Sequence, residues 1–505
     1  MVRDSLSSGM HLFWHRRDLR IPDNRGLALA ARDDDVLPVF VVEEGLLRQL
    51  GGRQRAFVLA GVDALRAAYR RRDGDLLVRR GKPAPTLAGL RDALDAGFVY
   101  YNRHYRPARR NRERRVRRRM PARAVTNLVL VDPERLDERY PNHGRFYDDW
   151  SAEPKPEPLD EPDTDALVDP QEVADRILAA PATEEQMADP LSATGDDEAD
   201  LTPGPAAAAD DDAADLSEGV ADIDLPTAGY GAARERYDRF LDAGIESYAD
   251  TRDDMAAAVE RPVGAVSRLS PYLAAGMVGI REVWADATAR YERADEAVRR
   301  NVGKYRYELS WREHNYHLLS HTPTLLTKNY RDPPNPIAWR NDPDEFAAWK
   351  RGETGYPLVD AGMRQLEAEG YVHNRPRQNV ASFLTKHLLV DWRKGARYFA
   401  TKLVDHDPAN NYGNWQWIAS TGTDSVDVRI FDPVAQMDKY DPGADYVKAY
   451  VPELRDAAPE RVVEWPTLSA GTRESLAPEY PDPVVDRDAA YERAKRVFET
   501  ALGKR

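Results

Sequence analysis

A change in the spacing of apolar residues is the strongest constraint on how this 505-residue chain folds. Before residue 135, short apolar runs alternate with amphipathic, helix-like stretches, as they do in βαβ units. The predicted strands cover residues 12–15, 36–42, 75–78, 98–101 and 127–131. This alternation predicts a doubly wound α/β domain whose ligands lie at the carboxyl ends of parallel strands. After residue 229 the spacing is helical nearly throughout, which predicts an all-α domain.

An acidic segment separates the two patterns. Residues 151–228 hold 23 Asp and Glu but only two basic residues, Lys155 and Arg176, for a net charge of −21. Pro and Ala fill much of the rest, so the segment has little apolar surface to bury and is predicted to be a largely disordered linker. The predicted domains are therefore an α/β domain at 10–150, the linker at 151–228 and a helical domain at 229–480. Outside the linker the net charge is +7, which suits a phosphate-bearing partner.

Composition excludes several classes of site. The chain has no cysteine, so disulfides, thiolate catalysis and Cys-ligated metals are excluded, and its ten histidines show no metal-binding spacing. The chain has no run of eighteen apolar residues and its first eight residues lack an apolar signal core, so we expect a cytoplasmic protein without membrane insertion. The first domain has no glycine-rich dinucleotide or phosphate loop, which argues against an ordinary dinucleotide or ATP site.

Eleven arginines lie between residues 103 and 123, and several of them recur at helical spacing. A basic helix of this kind could lie along nucleic acid. An ion-paired, solvated helix face is the favoured interpretation, because no aromatic residues interleave the arginines.

Seven of the ten tryptophans fall between Trp284 and Trp417, around three short segments at 308–312, 374–378 and 411–417. Residues three and four apart share one helix face, so each segment offers polar groups, and usually an aromatic ring, to one cavity. Such a lining suits a flat, polar, conjugated ligand. A fourth segment, 267–270, carries two serines before a proline, which is first of all a helix-capping arrangement and also a possible anion site.

Together these segments resemble the DNA photolyase/cryptochrome family. The resemblance runs in order through Trp14-His-Arg-Arg-Asp-Leu-Arg20 and the motifs at 23–24, 267–270, 308–313, 354–366, 373–375, 381–384, 391–393 and 415–417. It implies an α/β doubly wound N-terminal domain plus an all-α FAD-binding C-terminal domain. It also implies light-driven repair of cyclobutane pyrimidine dimers in DNA by electron transfer from reduced FAD, the reaction of a deoxyribodipyrimidine photo-lyase. The alternative within the family is a blue-light photoreceptor that signals through FAD photoreduction.

The resemblance assigns roles to individual residues. The residues expected to bind FAD are Tyr248, Ser267, Leu269, Ser270, Arg312, Asn374, Arg377, Asp405, Asp407 and Asn411. Among these, Arg377 and Asp405 are the expected ion pair beside the flavin ring, and Asn411 is expected to face flavin N5. The residues expected to line the cavity for the flipped-out dimer are Glu308, Trp311, Asn374, Gln378 and Trp417. The expected electron relay to photoexcited oxidised FAD is Trp415, Trp392 and Trp339.

Two departures leave questions open. Gln378 stands where ordinary cyclobutane-dimer photolyases have methionine, and its surroundings resemble DASH cryptochromes, so the preference for single- or double-stranded DNA is open. Arg106 stands where folate-binding relatives carry a glutamate, so the second, antenna chromophore is unknown, with a flavin-type chromophore or none as the alternatives. We expect a monomer that acts on DNA containing pyrimidine dimers. The lesion-cavity residues, Asn411 and the absence of a long tail after about residue 480 favour repair over signalling.

Overall fold

The computed structural model describes residues 9–179, 225–423 and 428–504. The first part builds a five-stranded sheet in the order β3-β2-β1-β4-β5, with every neighbouring pair parallel. Its strands are β1 Met10–His15, β2 Asp35–Val42, β3 Leu77–Arg80, β4 Val99–Asn102 and β5 Ala122–Val125. The strand order reverses at β1, so the predicted doubly wound sheet is confirmed.

Helices cover both faces of this sheet. They are α1 Arg25–Asp33, α2 Glu44–Leu47, α3 Gly52–Arg70, α4 Pro83–Leu94, α5 Pro107–Arg119, α6 His143–Ala152 and α7 Ala174–Ala179. Successive residues of a strand point to opposite faces, so Leu12 and Trp14 join one apolar cluster while Phe13 joins another. The alternation explains why the strands read as continuous apolar runs, since each is buried on both sides.

The fifth predicted strand, 127–131, is wrong, because the strand is Ala122–Val125. The apolar run beyond it is buried against the helical domain, where the backbone N–H groups of Leu130 and Val131 donate to Glu313 Oε2 at 2.7 and 3.3 Å. A short buried apolar run shows the strand pattern whether it pairs in a sheet or packs against a helix. Periodicity alone therefore cannot distinguish these two cases.

The predicted disordered linker is wrong for residues 151–179. Leu167 forms a parallel bridge with Val36, the N–H of Val168 donates to Val36 O at 2.9 Å, and Ile177 is buried in a cluster with strand residues. A few well-spaced apolar residues are sufficient to dock this acidic stretch on the α/β domain. Residues 180–224, which include the three aspartates at 210–212, lie outside the described residues.

The rest of the described chain is helical and contains no β-strand, as predicted. Its helices are α8 Tyr230–Ala243, α9 Tyr248–Thr251, α10 Met255–Glu260, α11 Pro262–Ala265, α12 Ser270–Ala275, α13 Ile280–Arg293, α14 Glu296–His321, α15 Pro343–Arg351, α16 Pro357–Glu369, α17 Asn374–Ser382, α18 Trp392–Lys402, α19 Pro408–Ile418, α20 Pro433–Tyr440, α21 Asp445–Tyr450, α22 Pro459–Val463, α23 Ala470–Leu476 and α24 Arg487–Ala501. The predicted end at residue 480 is too early, because Phe498 and Ala501 of α24 are buried in this domain. Within the described ranges, no helix has both the length and the apolarity to cross a membrane.

Helix α14 is the longest element and carries Glu308, Trp311 and Arg312 of the candidate site. Asp295 caps its first turn by accepting from Val298 N at 3.0 Å, and no proline interrupts its 26 residues. One side of the helix contacts the α/β domain through Glu313, while Glu308 and Trp311 lie on a partly exposed side. The helix therefore connects the domain interface to the candidate site.

Candidate active site

Two tryptophans from different helices form one wall of the site. The rings of Trp311 on α14 and Trp417 on α19 meet edge to face, with centroids 6.2 Å apart and planes at 74°. The two helices approach closely at Gly413, where an added Cβ would lie 2.2 Å from Asn315 Oδ1. A glycine is therefore required at that crossing, and both indoles remain half-buried at the surface of a recess.

A chain of alternating charges forms the polar rim of the recess. Glu308 is ion-paired with Arg252 and, at 2.7 Å, with Lys304. Arg252 also lies 3.5 Å from Asp253, which in turn pairs with Arg375 at 2.7 Å. Burial alone would raise the pKa of Asp253, but the Arg375 hydrogen bond and the Arg252 charge lower it. Glu308 is thus flanked by two cations, Arg252 and Lys304.

Helix α17 supplies the other end of this rim. Arg375 donates to Gln378 Oε1 at 2.9 Å, which orients the amide that departs from the usual methionine. Asn374 is the first residue of α17 and is exposed. Arg252, Arg300, Lys304 and Arg375 line an open depression beside Glu308. Each of these four cations has a carboxylate partner, which is Glu308 for Arg252 and Lys304, Asp250 for Arg300 and Asp253 for Arg375.

Some of the residues expected to bind the flavin contact one another. Ser270 Oγ donates to Asp405 Oδ2 at 2.7 Å, and Arg377 donates to the same oxygen at 3.1 Å. Ser270 is exposed although Asp405 is buried, so the serine lies at the wall of an opening. The capping interpretation is wrong: no side chain caps α12, and its N-cap residue is Leu269.

Other residues expected to contact the flavin are mostly buried. Tyr248 and Leu269 are buried, and Ser267 is half-buried one residue before Arg268, which has a φ of +46°. Asn411 is buried, and its Nδ2 donates to Ala396 O at 2.9 Å. This bond fixes the amide orientation and leaves the Asn411 oxygen on the opposite side, as an acceptor only.

Two residues expected at the flavin are instead bound at the domain interface. Arg312 donates to Leu128 O at 2.9 Å and to Glu313 at 3.0 Å. Asp407 caps α19, pairs with Arg17 at 2.6 Å and accepts from the Tyr316 hydroxyl. Burial alone would raise the pKa of Asp407, but the Arg17 and Arg312 charges lower it far below the ordinary range.

The three tryptophans of the expected relay share one apolar cluster. Trp392 and Trp415 are buried and Trp339 is half-buried, so the side chains lead from the domain core to its surface. The Trp392 indole N–H donates to Asn329 Oδ1 at 3.0 Å. Trp415 contacts a further indole, Trp349, edge to face at 6.2 Å.

A second pocket lies at the carboxyl ends of β1 and β2. Its lining includes Arg106 and Arg109 of the basic segment, together with Arg112, which pairs with Glu43 at 2.8 Å. Among the described residues, no carboxylate contacts the Arg106 or Arg109 side chain, and burial together with neighbouring arginines lowers the pKa of both. The solvated-face interpretation is therefore wrong for these two, whose half-buried side chains line the pocket.

Several contributors to the recess have no sequence signal of their own. Arg252, Asp253 and Arg375 are recognisable only through contacts made after folding. Lys304 is an exception, because it precedes Glu308 by four residues on a helix, a spacing that predicts an ion pair. No cluster of three potential metal ligands occurs in the part of the chain that the structure describes.

Comparison with known proteins identifies the family. Residues 11–163 match the DNA photolyase family, and residues 305–500 match the FAD binding domain of DNA photolyase. The chain belongs to the DNA photolyase family. It is 40% identical to the deoxyribodipyrimidine photo-lyase of Halobacterium salinarum over 98% of this chain and 100% of that protein.

Two solved photolyase structures also resemble this chain. A bacterial class III photolyase from Agrobacterium tumefaciens matches with a TM-score of 0.81 and 31% identity over 100% of both chains. An archaeal photolyase from Sulfolobus tokodaii, solved with two FAD molecules, matches with a TM-score of 0.74 and 28% identity over 97% of this chain and 100% of that one.

The opening beside Ser270 fits the cofactor that this family binds. An exposed serine, an uncapped first helical turn and the Arg377 guanidinium suit the anionic and polar edges of FAD, while buried Tyr248 and Leu269 supply apolar walls. The chain thus has an FAD-binding domain whose polar groups are already arranged around an opening.

Buried histidines make the folded state sensitive to acid. Burial lowers the pKa of His143, His317 and His387 to about 4 and that of His373 to about 3, against about 6.5 in an unfolded chain. The unfolded state therefore binds more protons. The stability that these groups contribute is complete above about pH 6.5 and is lost as the pH falls toward 4.

We accordingly expect the free energy of unfolding to fall between pH 6.5 and 4.5, by up to about 1.4 kcal/mol per pH unit for each histidine. Urea titrations at several pH values measure this slope. His387→Phe should reduce the slope of the unfolding free energy against pH by the amount that corresponds to about one bound proton. A free energy of unfolding that stays level through this interval would contradict the prediction.

Proposed function

We propose that this chain is a deoxyribodipyrimidine photo-lyase, which splits cyclobutane pyrimidine dimers in DNA under blue light. The observation that carries the proposal is the edge-to-face pair of half-buried indoles, Trp311 and Trp417, in a chain whose helical domain matches the FAD binding domain of DNA photolyase. When bound and reduced, FAD supplies the electron that opens the cyclobutane ring.

The polar rim suits the edge of a pyrimidine dimer. Each thymine of the dimer offers an N3–H donor and two carbonyl acceptors. The Glu308 oxygens, paired with Arg252 and Lys304, offer acceptors to an N–H, while the two cations donate to the carbonyls, where negative charge develops. Asn374 and Gln378 offer both a donor and an acceptor. The indoles supply the stacking surfaces for the flipped-out bases.

The partner is DNA that contains such a dimer. We assign the contacts to its phosphates to Arg300 and Arg375 of the cationic depression, beside Arg252 and Lys304, and this binding weakens with salt. The fixed Arg375–Gln378 pair makes this cavity more polar than one with methionine. A monomeric state and a cytoplasmic location are expected as well, from the sequence alone.

The test of this function is dimer repair in blue light, with a dark control, on matched single-stranded and duplex oligonucleotides carrying one thymine dimer. We expect light-dependent repair of both, with the single strand no worse, because flipping from a duplex costs a few kcal/mol. Trp417→Ala should weaken binding to the dimer by about fivefold or more, because a stacking contact is lost. No repair of either substrate by protein with reduced FAD would contradict the proposal and favour a photoreceptor.

We further propose that Trp415, Trp392 and Trp339 carry electrons from the protein surface to photoexcited oxidised FAD. Their common apolar cluster and their progression from buried to half-buried support this route. Trp392→Phe should block light-driven FAD reduction yet leave repair by chemically reduced enzyme intact, because repair draws its electron from the flavin. Trp349→Phe is the matched control, since Trp349 also contacts Trp415 but lies outside the relay. Photoreduction of the Trp392 variant at the parental rate would disprove the assignment.

We also propose that a flavin-type antenna chromophore with a phosphate group occupies the pocket lined by Arg106 and Arg109. Two half-buried guanidinium groups without a carboxylate partner among the described residues suit an anion, and the second FAD in the Sulfolobus tokodaii photolyase provides a precedent.

Titration of the FAD-loaded protein with FMN and with riboflavin, followed by flavin fluorescence, tests this assignment. FMN should bind more tightly than riboflavin. Arg109→Gln should weaken the binding of FMN by about tenfold, because it removes a charge-assisted hydrogen bond. Arg110→Gln, an exposed change on the same helix, serves as the control. Equal affinities for FMN and riboflavin would show that the pocket does not recognise phosphate.

A further inference from the structure

A histidine from the α/β domain stacks on the lesion-facing tryptophan of the helical domain. The rings of His143 and Trp311 lie nearly parallel, with planes 6° apart and centroids separated by 3.7 Å. His143 is the first residue of α6, a helix capped by Asn142, whose side chain accepts from Arg145 N at 3.1 Å. The stacking therefore joins the two domains, and His143 is held by the capped first turn of α6.

Two hydrogen bonds fix the plane of this imidazole. Ser310 Oγ donates to Tyr307 O at 2.6 Å, so it accepts from His143 Nε2–H at 2.9 Å. The Tyr307 hydroxyl then donates to His143 Nδ1 at 3.1 Å. This assignment gives a neutral imidazole with one donor and one acceptor, both used. Burial lowers the pKa of His143 to about 4, so the ring stays neutral where DNA is stable.

The stacking leaves Trp311 only part of its surface for a ligand. One indole face is covered by His143, and the ring also meets Trp417 edge to face. The same network reaches the polar rim, because Lys304 lies 4.7 Å above the Tyr307 ring and pairs with Glu308. The plane of the indole and the carboxylate are thus held by one set of contacts.

We propose that His143 is a positioning residue for lesion recognition. It covers one face of Trp311 and fixes the ring plane, so that the opposite face is presented to the pyrimidine dimer. The inference rests on the proposed repair function, in which Trp311 stacks on the dimer. It assigns to the α/β domain a part in substrate selection, separate from any antenna role.

The test compares the affinity of FAD-loaded protein for a thymine-dimer oligonucleotide with its affinity for the same oligonucleotide without damage. His143→Ala removes the stacked ring, and we expect about tenfold weaker binding to the dimer. Binding to undamaged DNA should not change, because the cationic depression is untouched. His143→Phe restores an aromatic face and should recover most of the loss.

Two further variants separate positioning from folding. Tyr307→Phe removes only the hydroxyl that orients His143, and we expect a smaller loss of dimer affinity with parental FAD content and thermal stability. Arg145→Ala changes an exposed residue of the same helix and should have no effect. If His143→Ala does not fold, His143→Phe and Tyr307→Phe still test the inference, and parental dimer affinity in Tyr307→Phe would then overturn it.

The outcomes distinguish this inference from the proposed function. Parental protein that neither repairs nor prefers the dimer contradicts the function itself. Parental protein that repairs, together with a His143→Ala variant that keeps the parental preference for the dimer, overturns the role of His143. Equal losses for damaged and undamaged DNA would also overturn it, because positioning of Trp311 affects only the damaged substrate.

Discussion

The fold depends on a guanidinium group buried between the two domains. Arg281 of α13 is fully buried and donates to Asp23 Oδ1 at 2.7 Å and to Asn127 Oδ1 at 2.6 Å, both in the α/β domain. Burial lowers the pKa of Arg281 to about 10, against the opposing effect of Asp23. A buried charge is tolerated only when its partners meet it closely, so the two domains must dock in one orientation. Gly279 permits this approach, since an added Cβ would lie 1.9 Å from Asp23 Oδ2.

The same interface determines where chemistry takes place. Arg17 reaches from the α/β domain to Asp407 at the start of α19, the helix that carries Asn411, Trp415 and Trp417. Glu313 accepts from the backbone of Leu130 and so anchors α14, which carries Glu308 and Trp311. Helices α14 and α19 are therefore each bonded to the α/β domain within a few turns of the residues that they contribute to the candidate site. The cationic pocket and the candidate site are consequently joined through the same set of interdomain contacts.

How much could be predicted from the sequence differs between levels. Four strands and the all-α character of the second domain followed from periodicity, because each local pattern agrees with its final burial. The strand predicted at 127–131 and the linker at 151–179 failed, because Leu130 and Leu167 are buried by contacts distant in sequence. Arg106 and Arg109 read as solvated for the same reason: a helix of arginines gives no local sign that one side will close over a pocket.

The candidate site shows an even larger difference between what local patterns predict and what distant contacts determine. Spacing within a helix correctly grouped Glu308 with Trp311, since that relation is set by the helix itself. It could not show that Arg252 would hold Glu308 or that His143 would cover Trp311, because these partners come from other elements and have no common spacing. The residues proposed to contact the ligand thus occur in local motifs, whereas their partners come from distant parts of the sequence. For this reason the structure adds most to function where it supplies the second partner of a side chain that the sequence had already singled out.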